Sequence, residues 1–172
     1  NQSSPAAMFT VGGPGSGKGS IQDTMFANLG LNRQSFVNVN TDDVMGDMRG
    51  YRDAMHGMGR LKQASTMTNN PITYLHTADN YLGHAKHISK ALLRHAWSHS
   101  QNILVDGTAA NVDSVSRKIG DLRRAGYTVD GAMAHIPVRD AQPRVVSRGE
   151  RTGRIMPPER VAQVTRQVEG NI

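Results

Sequence analysis

The sequence contains no cysteine, so it can form neither a disulfide framework nor a zinc site built on thiolates. Aromatic residues make up only 5% of the chain, and hydrophobic residues 37%. No apolar run approaches the length of a membrane span, and residues 1–5 show neither the basic nor the apolar part of a signal peptide. We therefore expect a cytoplasmic protein that does not associate with membranes, with residues 1–172 forming a single domain.

The scarcity of aromatic residues also bears on the partners that the chain could bind. The formal net charge is +6, and many of the arginines lie late in the sequence. A basic chain can bind nucleic acid, but a protein that handles several phosphates in one pocket has the same charge balance. Because aromatic residues are not interleaved with the arginines, we expect small anionic ligands, and nucleic acid is the less favoured partner.

What the sequence does contain is a glycine-rich loop of the kind that binds phosphates. Residues 12–18 fit the pattern G-x-x-x-x-G-K, with a predicted strand before them and a predicted helix, residues 19–29, after them. In that setting, backbone N–H groups, the helix N-terminus and a lysine converge on a nucleoside triphosphate. The alternative is a glycine-rich turn that only closes the unit. The predicted phosphate-binding residues of the loop are Gly13, Pro14, Gly15, Ser16, Gly17, Lys18, Gly19 and Ser20.

One position departs from the usual form of this loop. Gly19 follows Lys18, where serine or threonine would normally place a hydroxyl on Mg²⁺, and Ser20, one residue later, is the predicted metal-binding hydroxyl. The form GxPGxGKG resembles that of adenylate kinases and related small-molecule kinases, in which water and phosphate hold most of the metal. The resemblance implies ATP and Mg²⁺ as cofactors. It favours a kinase over a GTPase switch or a motor ATPase.

Alternating strand and helix signals predict an α/β fold with a central parallel sheet and helices on both faces. The predicted strands are residues 7–11, 36–39, 103–105 and 132–136. The predicted helices are residues 42–48, 71–98, 112–125, 139–149 and 158–169, in addition to the helix after the loop. Residues 50–70 are predicted to form an irregular or short-helical insertion, and residues 153–158 a loop.

Two acidic positions follow predicted strands, at the edge where ligands bind in such sheets. Asp42 and Asp43 come after the second strand; a carboxylate there could take the proton of a substrate hydroxyl, hold a magnesium-bound water, or merely cap the next helix. Asp42 is the preferred catalytic candidate, and Asp43 a substrate-binding one. Asp106 follows the third strand and is predicted to bind magnesium through water. Together with Thr108, it is also predicted to bind the substrate. The alternative is an ordinary Asp-Gly turn.

A set of arginines supplies the positive charge that phosphoryl transfer requires. Arg144, Arg148 and Arg151 are spaced four and three residues apart, on one face of a predicted helix, and Arg154 follows a turn. The planar guanidinium fork suits a transferring phosphate. The alternative is the exposed basic face of a lid helix. We expect two of the four to contact phosphate.

In their order, these motifs resemble the zeta toxin family of P-loop kinases. The matching segments are GGPGSGKGS (12–20), FVNVNTDDV (36–44), GYRDA (50–54), NILVDGT (102–108) and RVVSRGERTGRIMP (144–157). The resemblance implies the P-loop kinase fold and ATP-dependent phosphorylation of a sugar hydroxyl on a nucleotide sugar, typically UDP-N-acetylglucosamine. It also implies a partner antitoxin or inhibitor protein that restrains the kinase.

The resemblance further implies a role for each matching residue. Lys18 corresponds to the phosphate-binding lysine, Asp42 to the general base, and Asp106 to the acidic residue of the family's D/E-G-T element. Arg154, with Arg144 or Arg148, corresponds to the arginines on the transferring phosphate. Many relatives carry a substrate-binding glutamate on the long helix. Counting without gaps places His84 at that position, with Asp79 as an earlier alternative.

Because of that departure, a nucleoside, nucleotide or dinucleotide stays open as the acceptor. A nucleotide-binding or nucleic-acid-binding module without catalysis is a further alternative, which the basic charge motivates. The chain does not begin with Met and ends soon after its last predicted helix. We interpret it as a kinase domain cut from a longer toxin or effector, which could be delivered into a target cell.

Overall fold

A computed structural model of the chain describes residues 4–64, 71–108, 111–152 and 156–171. Its elements are β1 (Ala6–Gly12), α1 (Lys18–Asn28), β2 (Phe36–Asn40), α2 (Thr41–Asp47), α3 (Arg49–Ala64), α4 (Pro71–Ser98), β3 (Asn102–Gly107), α5 (Val112–Arg124), β4 (Thr128–Ala134), α6 (Val138–Thr152) and α7 (Pro158–Glu169). A short 3-10 helix, Arg33–Ser35, precedes β2. The described part of the chain includes no helix that is both long and apolar enough to cross a membrane.

The strands form one parallel sheet in the order β2-β3-β1-β4, which confirms the predicted α/β fold. Because the strands are parallel, their carboxyl ends all lie at the same end of the sheet, which we call its carboxyl edge. The chain leaves β1 toward β2 on one side and later passes from β3 to β4 on the other side of β1. The ends of β1 and β3 therefore lie at the switch point of the topology, where a ligand crevice opens in sheets of this kind.

Helices cover both faces of the sheet, as the sequence predicts. Successive side chains of β1 point to opposite faces: Phe9 packs in the layer beneath α4 and α5, whereas Met8 packs with Phe26 of α1. The α4–α5 layer contains Ala7, Phe9, Val39, Ala96, Ile103, Leu122 and Tyr127. The α1 layer contains Met8, Phe26, Phe36 and Leu104. These two layers hold the strand ends, and so the loops that follow them, in place.

The prediction for residues 50–64 is wrong, because α3 runs as a regular helix from Arg49 to Ala64. Its glycines suggest irregular structure, but packing overrides that local preference. Tyr51 is buried against α2 and α4, and its ring meets the ring of Tyr81 edge-on at 5.8 Å between centroids. Met55, one turn after Tyr51, packs in the same cluster. Residues 65–70, the rest of the predicted insertion, lie outside the described residues.

Two other predicted boundaries need correction. β4 begins at Thr128 and ends at Ala134, four and two residues before the predicted limits. It is an edge strand, and Asp130 and Gly131 interrupt the apolar run by which a strand is recognised. α6 extends to Thr152, with Pro143 inside it. By contrast, α4 and α7 have the predicted bounds.

Candidate active site

A cavity of about 790 Å³ opens at the carboxyl edge of the sheet. The glycine-rich loop and the start of α1 form one side, α2 and α3 form another, and α6 contributes arginines. The lining residues are Gly15, Ser16, Gly17, Lys18, Gly19, Asn40, Asp42, Asp43, Gly46, Tyr51, Arg52, Met55, His56, Asp106, Arg144 and Arg148. Residues from five separate segments therefore converge on one space.

The glycine-rich loop has a backbone shape that requires glycine at two positions. Gly15 and Gly17 have φ angles of 73° and 85°, in the left-handed region that other residues rarely adopt. A Cβ atom on Gly15 would also lie 2.9 Å from the carbonyl oxygen of Ala141. α1 begins directly after Gly17, whose carbonyl oxygen accepts from the N–H groups of Ser20 and Ile21, so the N–H groups of Lys18 and Gly19 precede the first hydrogen bonds of the helix. The loop and helix end thus present unpaired donors, as an anion site requires.

Ser16 gives a second sign that a ligand belongs in the loop. The residue is 8% exposed and lines the cavity, yet its Oγ atom has no hydrogen-bond partner in the described residues. A buried hydroxyl without a partner costs free energy, on the order of 1–3 kcal/mol. An anion held by the loop would supply the missing acceptor.

Lys18 points back over the same loop. Its Nζ atom donates hydrogen bonds to the carbonyl oxygens of Gly12, at 3.1 Å, and Gly13, at 3.4 Å. Burial lowers the pKa of Lys18 from its ordinary value of 10.5, and nearby Arg148 lowers it further. The carboxylates of Asp106 and Asp42 oppose that shift in pKa. The ammonium group is therefore within electrostatic reach of both candidate carboxylates.

Asp106, at the end of β3, is held by two side chains from neighbouring strands. Thr10 Oγ1 donates to its Oδ1 atom at 3.3 Å, and Asn40 Nδ2 donates to its Oδ2 atom at 3.0 Å. Gln22 Nε2 in turn donates to Thr10 Oγ1 at 2.7 Å. Burial raises the pKa of Asp106 above its ordinary value, and Lys18 is the main opposing influence on that pKa. The carboxylate is thus fixed in place at the switch point.

Asp42 and Asp43 occupy the first turn of α2, and neither caps it. The cap is Asn40, whose Oδ1 atom accepts hydrogen bonds from the backbone N–H groups of Asp42, at 2.8 Å, and Asp43, at 3.4 Å. Asn38 Nδ2 donates to Asp43 Oδ2 at 2.8 Å. The alternative that an aspartate merely caps this helix is therefore wrong. Both carboxylates line the cavity.

The structure brings most of the predicted site residues together, but not all of them. Those that line the cavity are Gly15, Ser16, Gly17, Lys18, Gly19, Asp42, Asp43, Asp106, Arg144 and Arg148. Gly13 and Pro14 are buried inside the loop, and Thr108 is exposed beyond the end of β3. Arg154 lies outside the described residues, as does the side chain of Arg151. Their roles stay predictions.

Three predicted residues lie away from the cavity wall, for identifiable reasons. Ser20 is exposed and does not line the cavity, because one residue along a helix turns a side chain by about 100° from the direction of its predecessor. Asp79 and His84 are exposed on α4. That helix turns its small residues, such as Ala85 and Ala96, toward the interior. The cavity gives no support to a metal role for Ser20 or a substrate role for Asp79 and His84.

Sequence reasoning missed several side chains of the site. Thr10 and Asn40 lie on strands among apolar residues, and a polar residue near the end of a buried strand is the signal that could have found them. The other missed residues are on α3, where residues 50–70 were predicted to form an irregular or short-helical insertion: Tyr51, Arg52, Met55 and His56. The matching segment GYRDA was the available signal there.

The carboxylates and N–H groups that line the cavity fit a magnesium–nucleotide complex better than a metal ion alone. In the part of the chain that the structure describes, no three or more histidine, aspartate or glutamate side chains are grouped to hold a metal. The carboxylates of Asp106 and Asp42 are hard oxygen donors, which suit Mg²⁺ when phosphates and water supply its other ligands. Gly19 offers no hydroxyl. The unpaired loop donors and the Ser16 hydroxyl fit the phosphates.

Comparison with known proteins agrees with this geometry. The sequence model of the zeta toxin family matches residues 1–172. No protein with a curated description matches the chain. Among solved structures, the Pnkp1/Rnl/Hen1 RNA repair complex includes a chain with a TM-score of 0.62 and 19% identity, and the match covers 99% of this chain and 46% of that one.

Two further structures share the fold. The PezAT chromosomal toxin-antitoxin system of Streptococcus pneumoniae includes a chain with a TM-score of 0.60 and 19% identity; the match covers 87% of this chain and 55% of that one. A candidate kinase from Chloroflexus aurantiacus has a TM-score of 0.56 and 13% identity, over 95% of this chain and 76% of that one. At these identities, the likeness establishes the fold alone. The chain spans about half of the length of the first two.

Proposed function

The chain belongs to the zeta toxin family, whose P-loop kinase-like fold supports a phosphotransferase, and we propose that it transfers the γ-phosphate of ATP to a hydroxyl group of a nucleotide sugar such as UDP-N-acetylglucosamine. The observation that carries this proposal is the meeting of Lys18, Asp42 and Asp106 in one cavity. A phosphate-binding lysine and a carboxylate that line one cavity are what phosphoryl transfer between two bound molecules requires.

The loop side of the cavity would bind the phosphates of ATP. Unpaired N–H groups of the loop and of the first turn of α1 would donate to the β- and γ-phosphates. Lys18 would exchange its loop carbonyl acceptors for phosphate oxygens. Arg144, whose Nη1 atom would be 3.9 Å from a Cβ on Gly17, and Arg148 lie beside the loop and would neutralise charge on the transferring group. Mg²⁺ would neutralise the charge that remains on the phosphates.

The opposite side would hold the acceptor. In the transfer step, the acceptor oxygen forms a bond to the γ-phosphorus, and the bond from that phosphorus to the β–γ bridging oxygen breaks. Asp42 would take the proton of the acceptor hydroxyl, and ADP would leave with the bridging oxygen. Asp106 is held by Thr10 and Asn40 and would bind a magnesium-coordinated water. It would thereby help to position the phosphates relative to Asp42.

A toxin role and a protein partner are part of the same proposal. One structural neighbour comes from a toxin-antitoxin system, so we expect a partner protein that restrains this kinase by covering the cavity. Because the reaction consumes ATP, it would take place in a cytoplasm, either that of the producing cell or that of a target cell.

The proposal is tested by incubating the protein with ATP, Mg²⁺ and single acceptors, and by measuring the acceptor mass. We expect UDP-N-acetylglucosamine to gain the mass of one phosphate. Lys18→Ala and Asp42→Asn should abolish that gain. Asp79→Asn serves as the matched control, because Asp79 is an exposed aspartate away from the cavity. If a nucleoside or dinucleotide gains the phosphate instead, the proposed acceptor is wrong. If both cavity variants keep full activity, the proposed kinase site is wrong.

A further inference from the structure

On the proposed function, one wall of the cavity is not needed to hold the phosphates of ATP. It is formed by α2 and α3, and its residues are Gly46, Tyr51, Arg52, Met55 and His56. Asp42 and Asp43, in the first turn of α2, line the same cavity as this wall and the glycine-rich loop. Since the hydroxyl that is phosphorylated must approach Asp42, the acceptor molecule has to lie against the α2–α3 wall. The side chains of this wall therefore indicate which chemical groups the acceptor carries.

Arg52 is the permanent positive charge of that wall. Its Nη1 atom donates a hydrogen bond to the backbone carbonyl of Asp47 at 2.7 Å, at the C-terminal end of α2. Among residues 4–64, 71–108, 111–152 and 156–171, no carboxylate forms an ion pair with it. The guanidinium is thus held in position by a neutral group, while its charge is left for a ligand.

Arg49, one turn earlier on the same helix, shows the contrast. Its Nε atom lies 3.6 Å from a carboxylate oxygen of Asp53, and its side chain is 89% exposed. Arg49 does not line the cavity. An arginine on α3 can therefore pair with an acidic side chain of its own helix, and Arg52, which lines the cavity, does not.

The neighbours of Arg52 make this wall a binding surface of mixed character. His56 lies one helical turn further along α3, on the same side as Arg52, and adds a ring N–H donor to the cavity. Tyr51 and Met55 form a parallel apolar row, and the edge-on contact with Tyr81 holds the Tyr51 ring in place. An anionic group and an apolar part of the same molecule can both be accommodated.

Electrostatics favour an anion at Arg52 specifically. Lys18, Arg144 and Arg148 lie around the loop, where the phosphates of ATP would occupy them. Asp42, Asp43 and Asp106 make the middle of the cavity acidic and would repel a negatively charged acceptor. Arg52 lines the same cavity and is hydrogen-bonded at the C-terminal end of α2, whereas Asp42 and Asp43 lie in the first turn of that helix, so its charge can offset the repulsion.

We propose that Arg52, assisted by His56, binds the diphosphate group of the acceptor and determines acceptor specificity. The inference rests on the proposed kinase function and deepens it. Neutral sugars lack the group that Arg52 recognises and are poor acceptors. The guanidinium fork matches the geometry of phosphate oxygens, which a lysine would bind only as a point charge.

The test uses pyrophosphate as the probe and calorimetric titration as the measurement. The protein is first saturated with a non-hydrolysable ATP analogue and Mg²⁺, so that the loop site is filled. Pyrophosphate is then titrated into the wild-type protein and into the Arg52→Gln, Arg52→Lys and Arg49→Gln variants. Hydrogen bonds to charged groups contribute enough that Arg52→Gln should weaken pyrophosphate binding by about tenfold to a hundredfold. Arg49→Gln should bind pyrophosphate as the wild type does, and Arg52→Lys should fall between.

Each outcome decides between the two proposals. Equal pyrophosphate affinity in wild type and Arg52→Gln, or no pyrophosphate binding to the saturated protein, would overturn the role of Arg52 and leave the kinase site intact. A wild-type protein that does not bind the ATP analogue would overturn the proposed function itself. Arg52 is exposed, so its variants should fold. Circular dichroism together with analogue affinity confirms that they do.

Discussion

The two walls of the cavity are built in different ways. The glycine-rich loop is partly buried, it contains two glycines in the left-handed region, and Lys18 donates hydrogen bonds to the loop carbonyl oxygens of Gly12 and Gly13. The α2–α3 wall consists of ordinary helical residues, and two of its side chains, Arg52 and His56, are exposed. On the proposed function, the ATP site is therefore specified by backbone conformation, whereas the acceptor site is specified by replaceable side chains. Acceptor specificity can therefore change while the fold and the ATP site are kept.

Substituting Lys18 is the change with the largest expected effect on the rate of phosphoryl transfer. Lys18 belongs to the donor wall, which is formed by the glycine-rich loop and the start of α1. Lys18→Met keeps the length of the side chain but removes the charge that the γ-phosphate requires. We expect the rate of phosphoryl transfer to fall on the order of a thousandfold, the size of effect seen when an electrostatic group is removed from an active site. Thermal stability should stay the same or rise, because a buried charge is removed. A variant that retains more than about a tenth of the rate would contradict the role of Lys18.

Two glycines of the loop test whether its backbone shape is essential. Gly15→Ala forces a Cβ into a left-handed position that also approaches Ala141, so we expect it to lower the free energy of unfolding by about 1–3 kcal/mol. Gly19 is the matched control, since a Cβ there meets nothing within 4 Å and the residue is helical. Gly19→Ala should leave stability unchanged or raise it by up to about 1 kcal/mol. Chemical denaturation measures both. Equal effects of the two substitutions would show that the loop tolerates other backbone shapes.

Asn40 joins the two walls, because it both caps α2 and binds Asp106. Asn111 caps α5 in the same manner, with its Oδ1 atom 2.8 Å from the backbone N of Ser114, but lies away from the cavity. We expect Asn40→Ala and Asn111→Ala each to lower the free energy of unfolding by about 0.5–2 kcal/mol. Only Asn40→Ala should also reduce phosphoryl transfer. Equal activity of the two variants would mean that the Asn40–Asp106 hydrogen bond does not position the site.

Asp106 gives the smallest expected effect, which appears in the pH dependence of stability. Its pKa is raised in the folded protein, so the native state holds the proton to a higher pH than the unfolded chain does. Its contribution to the free energy of unfolding therefore falls as the pH rises from the ordinary value of 3.8 through the raised value, and is constant above it. Asp106→Asn lacks this change.

The measurement is a series of denaturant titrations across that pH window. The stability of Asp106→Asn minus that of the wild type should increase with pH and then level off. Taking the difference removes the titration of the other carboxylates. A difference that stays flat or declines would contradict a raised pKa at Asp106.

The donor wall could be predicted from the sequence because its requirements are local. The left-handed backbone at Gly15 and Gly17 requires glycine, and Lys18 follows at a fixed spacing. Seven consecutive residues, 12–18, are therefore enough to predict a phosphate-binding loop. The buried strands and the long α4 were predicted for the same reason, since their apolar patterns are continuous. β4 was misplaced because an edge strand tolerates polar residues such as Asp130.

The acceptor wall could not be predicted, because tertiary packing creates it. α3 contains Gly50 and Gly57, and it forms a helix because Tyr51 and Met55 pack against α2 and α4. Only this helix brings Arg52 and His56 to the cavity. Counting along the sequence led instead to His84, which α4 turns toward solvent. Such a position depends on the rotation of a packed helix, which linear spacing does not reveal.

The measurement that most directly tests whether donor and acceptor meet at Asp42 is the rate of phosphoryl transfer, determined beside the affinity for a non-hydrolysable ATP analogue. In Asp42→Asn, we expect the rate to fall by about a hundredfold to ten thousandfold, as the loss of a general base implies, with analogue affinity unchanged. Asp43→Asn, in which Asn38 can still donate to the new side chain, should keep most of the rate. Transfer at the wild-type rate in Asp42→Asn would contradict the central claim.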